Sequence, residues 1–301
     1  MRNTRFEAAK ILVGPLAAAL VLATPACLVQ KVTHTQPPNR SAPALDATLP
    51  ELLAKIDAWA ASIHTMTATV DLTPSAGSVY SGVIKEYHDV RGFILLEKPT
   101  TLRLLGQAPV VRTTIFDMVS QGDGFRLYIP SKQKFIIGST TAQRPVKNSL
   151  ENLRPQHILQ ALLVPAVDAE HEAAFGEKVE RTPDGQRYYI VDIVELQPGN
   201  HLSLRRKVWF DRATLELSRV QFYDAGGACT EDVQYAKYQD FQGVRYPSEV
   251  VLDRPEDDYR VAITVEKAVF NQPIPPERFE LKQPEGSELL DLNAPQAGDS
   301  R

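Results

Sequence analysis

The sequence predicts an α+β protein: a single curved antiparallel sheet with helices covering one face. Three observations predict it. The stretch from Gly92 to Gly138 reads as four short strands with turn signals between them. Leu102 and Leu104 alternate with Arg103, and Phe125, Leu127 and Ile129 alternate with Arg126 and Tyr128, a period of two that puts apolar side chains on one face. Apolar stripes at helical spacing near 49–63 and 148–163 supply a cover for that face. Beyond Pro165, strand-like runs recur at turn spacing with no break in composition, so we read one folded domain over 45–283.

The chain of 301 residues has 23% charged and 43% apolar residues, ordinary values for a folded protein with a sizeable core. Its formal charge of −4 and the lack of any Lys/Arg-rich run argue against nucleic acid as a partner. The first 26 residues read as an export signal. Arg2, Arg5 and Lys10 precede an apolar run, Ile11 to Leu22, that is short for a bilayer-spanning helix, which needs roughly 20 apolar residues. Ala23-Thr24-Pro25-Ala26 then leads to Cys27. Lipidation of Cys27 and ordinary cleavage after Ala26 are both compatible with these small residues. Cys229 is the only other cysteine, so the chain can form at most one disulfide and has no cysteine pattern for metal. Residues 27–44, with Pro37, Pro38 and Pro43 among Gln, Thr, Asn and Ser, read as a flexible linker. The segment 284–301 reads as a flexible tail.

The first folded element is a helix from about Leu49 to Ile63. Thr48 is placed to cap it and Pro50 suits its first turn. Leu49, Leu52, Leu53, Ile56, Trp59, Ala60 and Ile63 form its apolar side. Strands follow at about Thr67–Thr73, Ser81–His88 and Gly92–Glu97, then the central group. A second helix is expected over Asn148–Leu163, kinked or restarted by Pro155. Thereafter come a hairpin, Val179–Arg181 with Arg187–Val194, and strands at His201–Phe210, Leu215–Tyr223, Asp232–Tyr238, Val244–Asp253 and Tyr259–Phe270.

This order resembles the LolA/LolB lipoprotein-carrier superfamily. Leu49 to Leu72 is similar to that family's first helix and strand. Lys98-Pro99 stands where members carry a basic residue before proline, lysine here in place of the LolA branch's arginine. Gly122-Asp123-Gly124-Phe125 through Tyr128-Ile129-Pro130 resembles its central hairpin, and Leu153-Arg154-Pro155-Gln156-His157-Ile158-Leu159 a helix of the LolB branch. Phe279-Glu280-Leu281, Pro284-Glu285-Gly286 and Asp291 resemble the close of LolA. The resemblance covers essentially the whole mature chain, with extra strands or loops between Ala166 and Gly243. It implies a half-open β-barrel closed by helices, with a hydrophobic cavity for the acyl chains of lipids or lipoproteins. It also implies outer-membrane sorting, because Leu28 and not aspartate follows the cysteine.

Candidate cavity residues are Phe93, Leu95, Leu102, Leu104, Ile115, Phe125, Leu127, Ile129 and Phe135 on strands, with Ile158, Leu159 and Leu162 on the covering helix. A dry, fully packed core is the competing reading of the same side chains. Phe135's neighbour Ile137, and Val208, Phe210, Val220 and Phe222, belong to the same apolar set. Pro109, Val110 and Val111 sit where the similar LolB loop meets the membrane; a turn folded back on the core is the alternative. Lys98 and Arg103 are candidates for the mouth of the cavity.

No catalytic set is legible. The histidines 34, 64, 88, 157, 171 and 201 lack metal-ligand spacing, no nucleophile elbow or phosphate-cradling loop occurs, and no cofactor or metal is implied. Glu256, Asp257 and Asp258 after Pro255 read as a solvated turn, and Asp168-Ala169-Glu170-His171-Glu172 as an exposed charged loop. The expected function is therefore an exported, non-catalytic envelope lipoprotein at the periplasmic side of the outer membrane, or a soluble periplasmic protein. It would bind lipid or lipoprotein acyl chains and hand them to, or hold them near, the inner leaflet of that membrane. The alternative is a sensor or scaffold of the same fold that binds a periplasmic or envelope protein.

Overall fold

The computed structural model describes residues 43–76, 85–86, 89–139, 154–179, 182, 185–197, 199 and 201–294. The export segment 1–26, Cys27 and the linker up to residue 42 lie outside the described residues, as do 140–153, most of the expected strand at 81–88 and the tail from 295.

Helix α1 spans Leu49–Ser62. The Thr48 amide donates to Glu51 Oε2 at 2.7 Å, and Pro50 occupies the first turn, where its missing N–H costs nothing. Strands β1 (Thr65–Ala76), β2 (Lys85–Glu86), β3 (Val90–Glu97), β4 (Thr101–Gln107), β5 (Thr114–Gln121), β6 (Gly124–Ile129) and β7 (Lys134–Ser139) follow. Helix α2 is Pro155–Leu162, so Pro155 starts the described helix instead of kinking a longer one. Five strands then occupy the region where extra elements were expected: β8 (Glu172–Val179), β9 (Tyr188–Gln197), β10 (His201–Asp211), β11 (Leu217–Tyr223) and β12 (Cys229–Phe241). The set closes with β13 (Val244–Arg254), β14 (Tyr259–Phe270) and β15 (Glu288–Asp291).

All fifteen strands belong to one sheet, in the order β15, β7, β6, β5, β4, β3, β1, β14, β13, β12, β11, β10, β9, β8, with β2 on the side of β1. Neighbours are antiparallel except β15 and β7, which run parallel. The sheet is open, since β15 and β8 end it without pairing to one another. It curls nevertheless: α2 touches β4 and β5 on one side and β13, four places beyond β4, on the other. Only a sheet bent around the helix allows both. One continuous apolar cluster fills the inside of the bend, from Ile94, Leu104 and Leu127 through Ile56 and Leu162 to Val191, Val220 and Leu252.

The pairing register gives the sheet two rims. The upper rim carries the turns Ala108–Thr113, Asp224–Ala228 and Pro255–Asp258 and the β9–β10 hairpin end. The lower rim carries Lys98–Thr100, Gly122–Asp123, Arg212–Glu216 and Gln242–Gly243. Both helices run with their C-terminal ends at the lower rim, where Ser62 leads into β1 and Leu162 lies over β13.

Four expectations are corrected. Phe93, Leu95 and Phe135 do not face inward. Each alternates with a residue of the inner cluster (Ile94, Leu96, Ile136), and Leu95 packs on the outer face with Val119, Ile274 and Phe279. Phe135 pairs in register with the outward Tyr128 and with Leu289. The segment 284–301 is not simply a tail: after β14, residues 271–287 cross the outer face from lower to upper rim, and Glu288–Asp291 then adds to the edge of β7, with Leu292 buried.

Candidate functional site

Inside the bend, the expected cavity residues Leu102, Leu104, Phe125, Leu127, Ile129, Ile158 and Leu162 are all buried and pack against one another and against Met118 and Ile136. At these positions the protein's own side chains fill the space. Ile115 and Leu159 are half-buried at the margin of the same cluster.

Open apolar space lies below them. A cleft of about 490 Å³ sits at the lower rim between the two helices, lined by Ala60 and Ala61 of α1, Leu159 of α2, Leu163 and Val164 after it, and Lys98-Pro99 of the β3–β4 turn. Two polar contacts hold its walls. The Lys98 ammonium donates to the carbonyl oxygen of Ala60 in the last turn of α1. That turn contains no basic residue of its own, so Lys98 places a cation against the negative end of the helix. Partial burial lowers the Lys98 pKa from its ordinary value. Behind the other wall, the fully buried Tyr246 hydroxyl donates at 2.9 Å to the carbonyl of Leu162, the residue before the lining Leu163. The Lys98–Pro99 peptide bond is cis, and the Lys98 amide donates to His64 O at 2.9 Å. Lys98 thus stands at the edge of an apolar cleft.

Arg103 does not. It lies on the outer face, where its guanidinium forks onto Asp117 at 3.0 and 2.7 Å and donates to the carbonyl of Arg278 at 2.7 Å. The pair ties the crossing segment to the sheet, beside a second groove of about 440 Å³ lined by Thr67, Thr69, Phe93 and Leu105. The Pro109–Val111 turn projects from the upper rim, with Val110 91% and Val111 70% exposed, and is not folded back on the core.

A cluster of buried charges lies at the upper end of the bend, and sequence reasoning missed it. His157, near the start of α2, meets the Tyr259 hydroxyl at 2.6 Å through Nδ1. Burial, with the guanidiniums of Arg254 and Arg154, pushes the His157 pKa down to about 2, so the ring is neutral. Arg254 bonds Asp257 at 2.8 Å and reaches Glu231 at 3.3 Å. Burial pushes the Glu231 carboxyl up to about 8 against the attraction of Arg254, and its Oε1 has no hydrogen-bond partner. Asp257, read from sequence as part of a solvated turn, is therefore an ion-pair partner. Glu172, read as an exposed loop residue, is likewise on β8 and forks onto the buried Arg206 at 2.8 and 2.9 Å. Asp168 and His171 stay exposed, paired at 2.8 Å. The signal that could have found the cluster is strand parity: Glu231 falls on the same face as Val233 and Tyr235, and Arg254 on that of Val250 and Leu252. Among the described residues, no group of three or more His, Cys, Asp or Glu side chains is placed to hold a metal ion.

A family model whose description reads only as uncharacterised protein matches residues 168–283. No curated protein sequence matches the chain. Among solved structures, a DUF1329 family protein from Desulfovibrio piger superposes with a TM-score of 0.51 at 14% identity, covering 76% of this chain and 94% of its own. A LolA superfamily protein from Nitrosomonas europaea aligns with a TM-score of 0.49 at 12% identity, over 78% of this chain and 99% of its own. The likeness to the first is one of fold: a large curved open sheet around two helices.

Proposed function

We propose that this chain, a LolA/LolB-like fold, is an exported acyl-chain carrier that takes up the hydrocarbon of lipids or lipoproteins and delivers or retains it at the outer membrane. The observation that carries the reading is the apolar cleft between the helix ends, with Lys98–Ala60 on its wall and Tyr246–Leu162 holding the end of α2 one residue before the lining Leu163. Its volume falls within the range of small-molecule sites. Each CH₂ taken from water contributes about 0.8 kcal/mol, so a chain needs no charged contact to be held.

Because Leu102, Leu104, Leu127 and Leu162 fill the inside of the bend, a long chain enters from the cleft by displacing α2 from the sheet. Release of the two latches frees the C-terminal ends of both helices. The task is one of affinity and not of bond chemistry: an acceptor offering more favourable burial draws the chain out. Cys27 would anchor the domain and Val110–Val111 would meet the bilayer.

One observation favours a second reading, a sensor or scaffold for an envelope protein: the inner face is packed. The outer groove beside Phe93 and Leu105 would then be the contact.

Native mass spectrometry of the full chain separates the two. Lipid that co-purifies and is displaced by Ala61→Trp, which fills the cleft from an exposed position, supports the carrier. A protein free of lipid that captures an envelope protein, and loses it on Phe93→Glu, supports the scaffold.

A further inference from the structure

We infer that the upper rim docks on a lipid bilayer at two separated points, with Leu196 and Leu202 of the β9–β10 hairpin entering the bilayer alongside Val110 and Val111. This rests on the reading above that the Val110–Val111 turn meets a membrane, and adds a contact that belongs to the extra strands. Leu196 and Leu202 stand opposite each other in register, 59% and 64% exposed, one pair in from the Gln197–His201 pair that ends their hairpin. Val194 and Leu204, the next pair inward, continue the same outer-face stripe. The register puts this hairpin end on the same rim as Val110 and Val111. Among the described residues, the lower-rim turns present no exposed large apolar side chain; Leu215 and Val244 there are packed against the core. Among the described turns and hairpin ends, exposed large apolar side chains gather on the upper rim; at the lower rim only Leu45, bonded through its amide to Arg212 O, is exposed, and it precedes α1 and is not part of a turn.

The spacing selects the partner. Seven strand-to-strand steps separate β4 from β10, about 34 Å along the curved sheet. The turns between them carry Asp224, Glu256 and Asp258. Two apolar tips seven strands apart around the bend, with carboxylate-bearing turns between them, do not make one contiguous apolar patch for a protein groove. A bilayer is a continuous apolar phase behind a hydrated surface, and it can receive both tips while the acidic turns remain in the headgroup layer. Arg112 stands beside Val111, but the turns between the two tips are acidic, so attraction to anionic lipid is not the driving term. Apolar insertion is, so a zwitterionic surface suffices.

The test places a reporter at each tip of the full chain, as Val111→Trp and Leu202→Trp, and reads fluorescence against the unsubstituted chain on adding phosphatidylcholine vesicles with brominated acyl chains. Blue shift and bromine quenching at both positions are expected, with no requirement for anionic lipid. The double substitution Leu196→Ser/Leu202→Ser is expected to lower vesicle partitioning roughly tenfold or more while leaving thermal unfolding unchanged, since both side chains are exposed. Quenching at position 111 alone overturns the second contact and leaves the loop reading standing. Quenching at position 202 alone, or at neither, overturns the two-point contact; lipid retained in the mass-spectrometric experiment would still stand for the cleft.

Discussion

The hydroxyl of Tyr246 on β13 donates to the carbonyl of Leu162 at the end of α2, 84 residues earlier in the chain, at 2.9 Å. The tyrosine ring is also wedged against Trp59 of α1 and Phe270 of β14, with centroids 5.7 and 5.1 Å away. One buried side chain therefore holds both helices to the same part of the sheet. Tyr246→Phe keeps the ring contacts and leaves the Leu162 carbonyl without this donor. The expected loss is about 1–2 kcal/mol of stability in denaturant unfolding. Faster exchange of lipid from the cleft should accompany it if α2 is the moving part.

The two buried groups at the upper end set opposite pH slopes. Glu231 titrates at about 8 in the folded protein against an ordinary 4.5, so the folded state holds a proton that the unfolded chain has lost. Its contribution to stability is full below about 4.5 and is lost as pH rises towards 8. His157 titrates at about 2 against 6.5, so its contribution is full above about 6.5 and is lost as pH falls. From these two groups the slopes cancel between about 4.5 and 6.5, and stability falls on either side. Arg254 and Asp257 face Glu231 and are already part of its shift. Denaturant unfolding from pH 5 to 8.5 should show Glu231→Gln losing less stability than the unsubstituted chain above pH 6.5; parallel curves would refute the assignment.

Gly92 and Gly106 stand opposite each other on β3 and β4. A Cβ on Gly106 would come within 2.4 Å of the Phe116 ring, and one on Gly92 within 2.6 Å of Val70. The aromatic ring of Phe116 lies where a side chain on residue 106 would be. Gly106→Ala is expected to destabilise by about 1–3 kcal/mol through overpacking, read as a lower midpoint with an unchanged denaturant slope.

Arg103→Met removes the fork on Asp117 and the bond to the Arg278 carbonyl. The crossing segment then keeps only its apolar hold through Ile274, Phe279 and Leu281 on Leu95 and Val119. Limited proteolysis should cut first within 271–287, before the sheet unfolds globally. Cleavage elsewhere at the same rate would show that Arg103 does not secure the segment.

Much of the sheet was legible because Leu102 and Leu104 flank Arg103, and Phe125 and Leu127 flank Arg126, which fixes their face. In Phe93-Ile94-Leu95-Leu96 and Phe135-Ile136-Ile137 every residue is apolar, so the period of two says nothing about which half turns inward. The structure assigns Leu95 outward because a segment nearly 180 residues later covers it. Of the cleft's lining, only Lys98 and Leu159 were named from the sequence; its other walls are helix ends brought together by the bend, which no local pattern encodes. The charges at 231, 254 and 257 each look like surface residues in isolation, and only the pairing of Arg254 with Glu231 and Asp257 in three dimensions lets Glu231 be buried.

The placement of β14 and β15 bears on how the chain must come together. Strands β1 to β7 form a contiguous half of the sheet from the first 139 residues, yet β1 awaits β14 on one flank and β7 awaits β15 on the other. Until residues 259–291 arrive, that half has two naked edges and an uncovered Leu95 and Val119. A chain released short of its last forty-odd residues cannot finish even its N-terminal half, and a polypeptide passed through a membrane N-terminus first would complete its fold only once its far end had crossed.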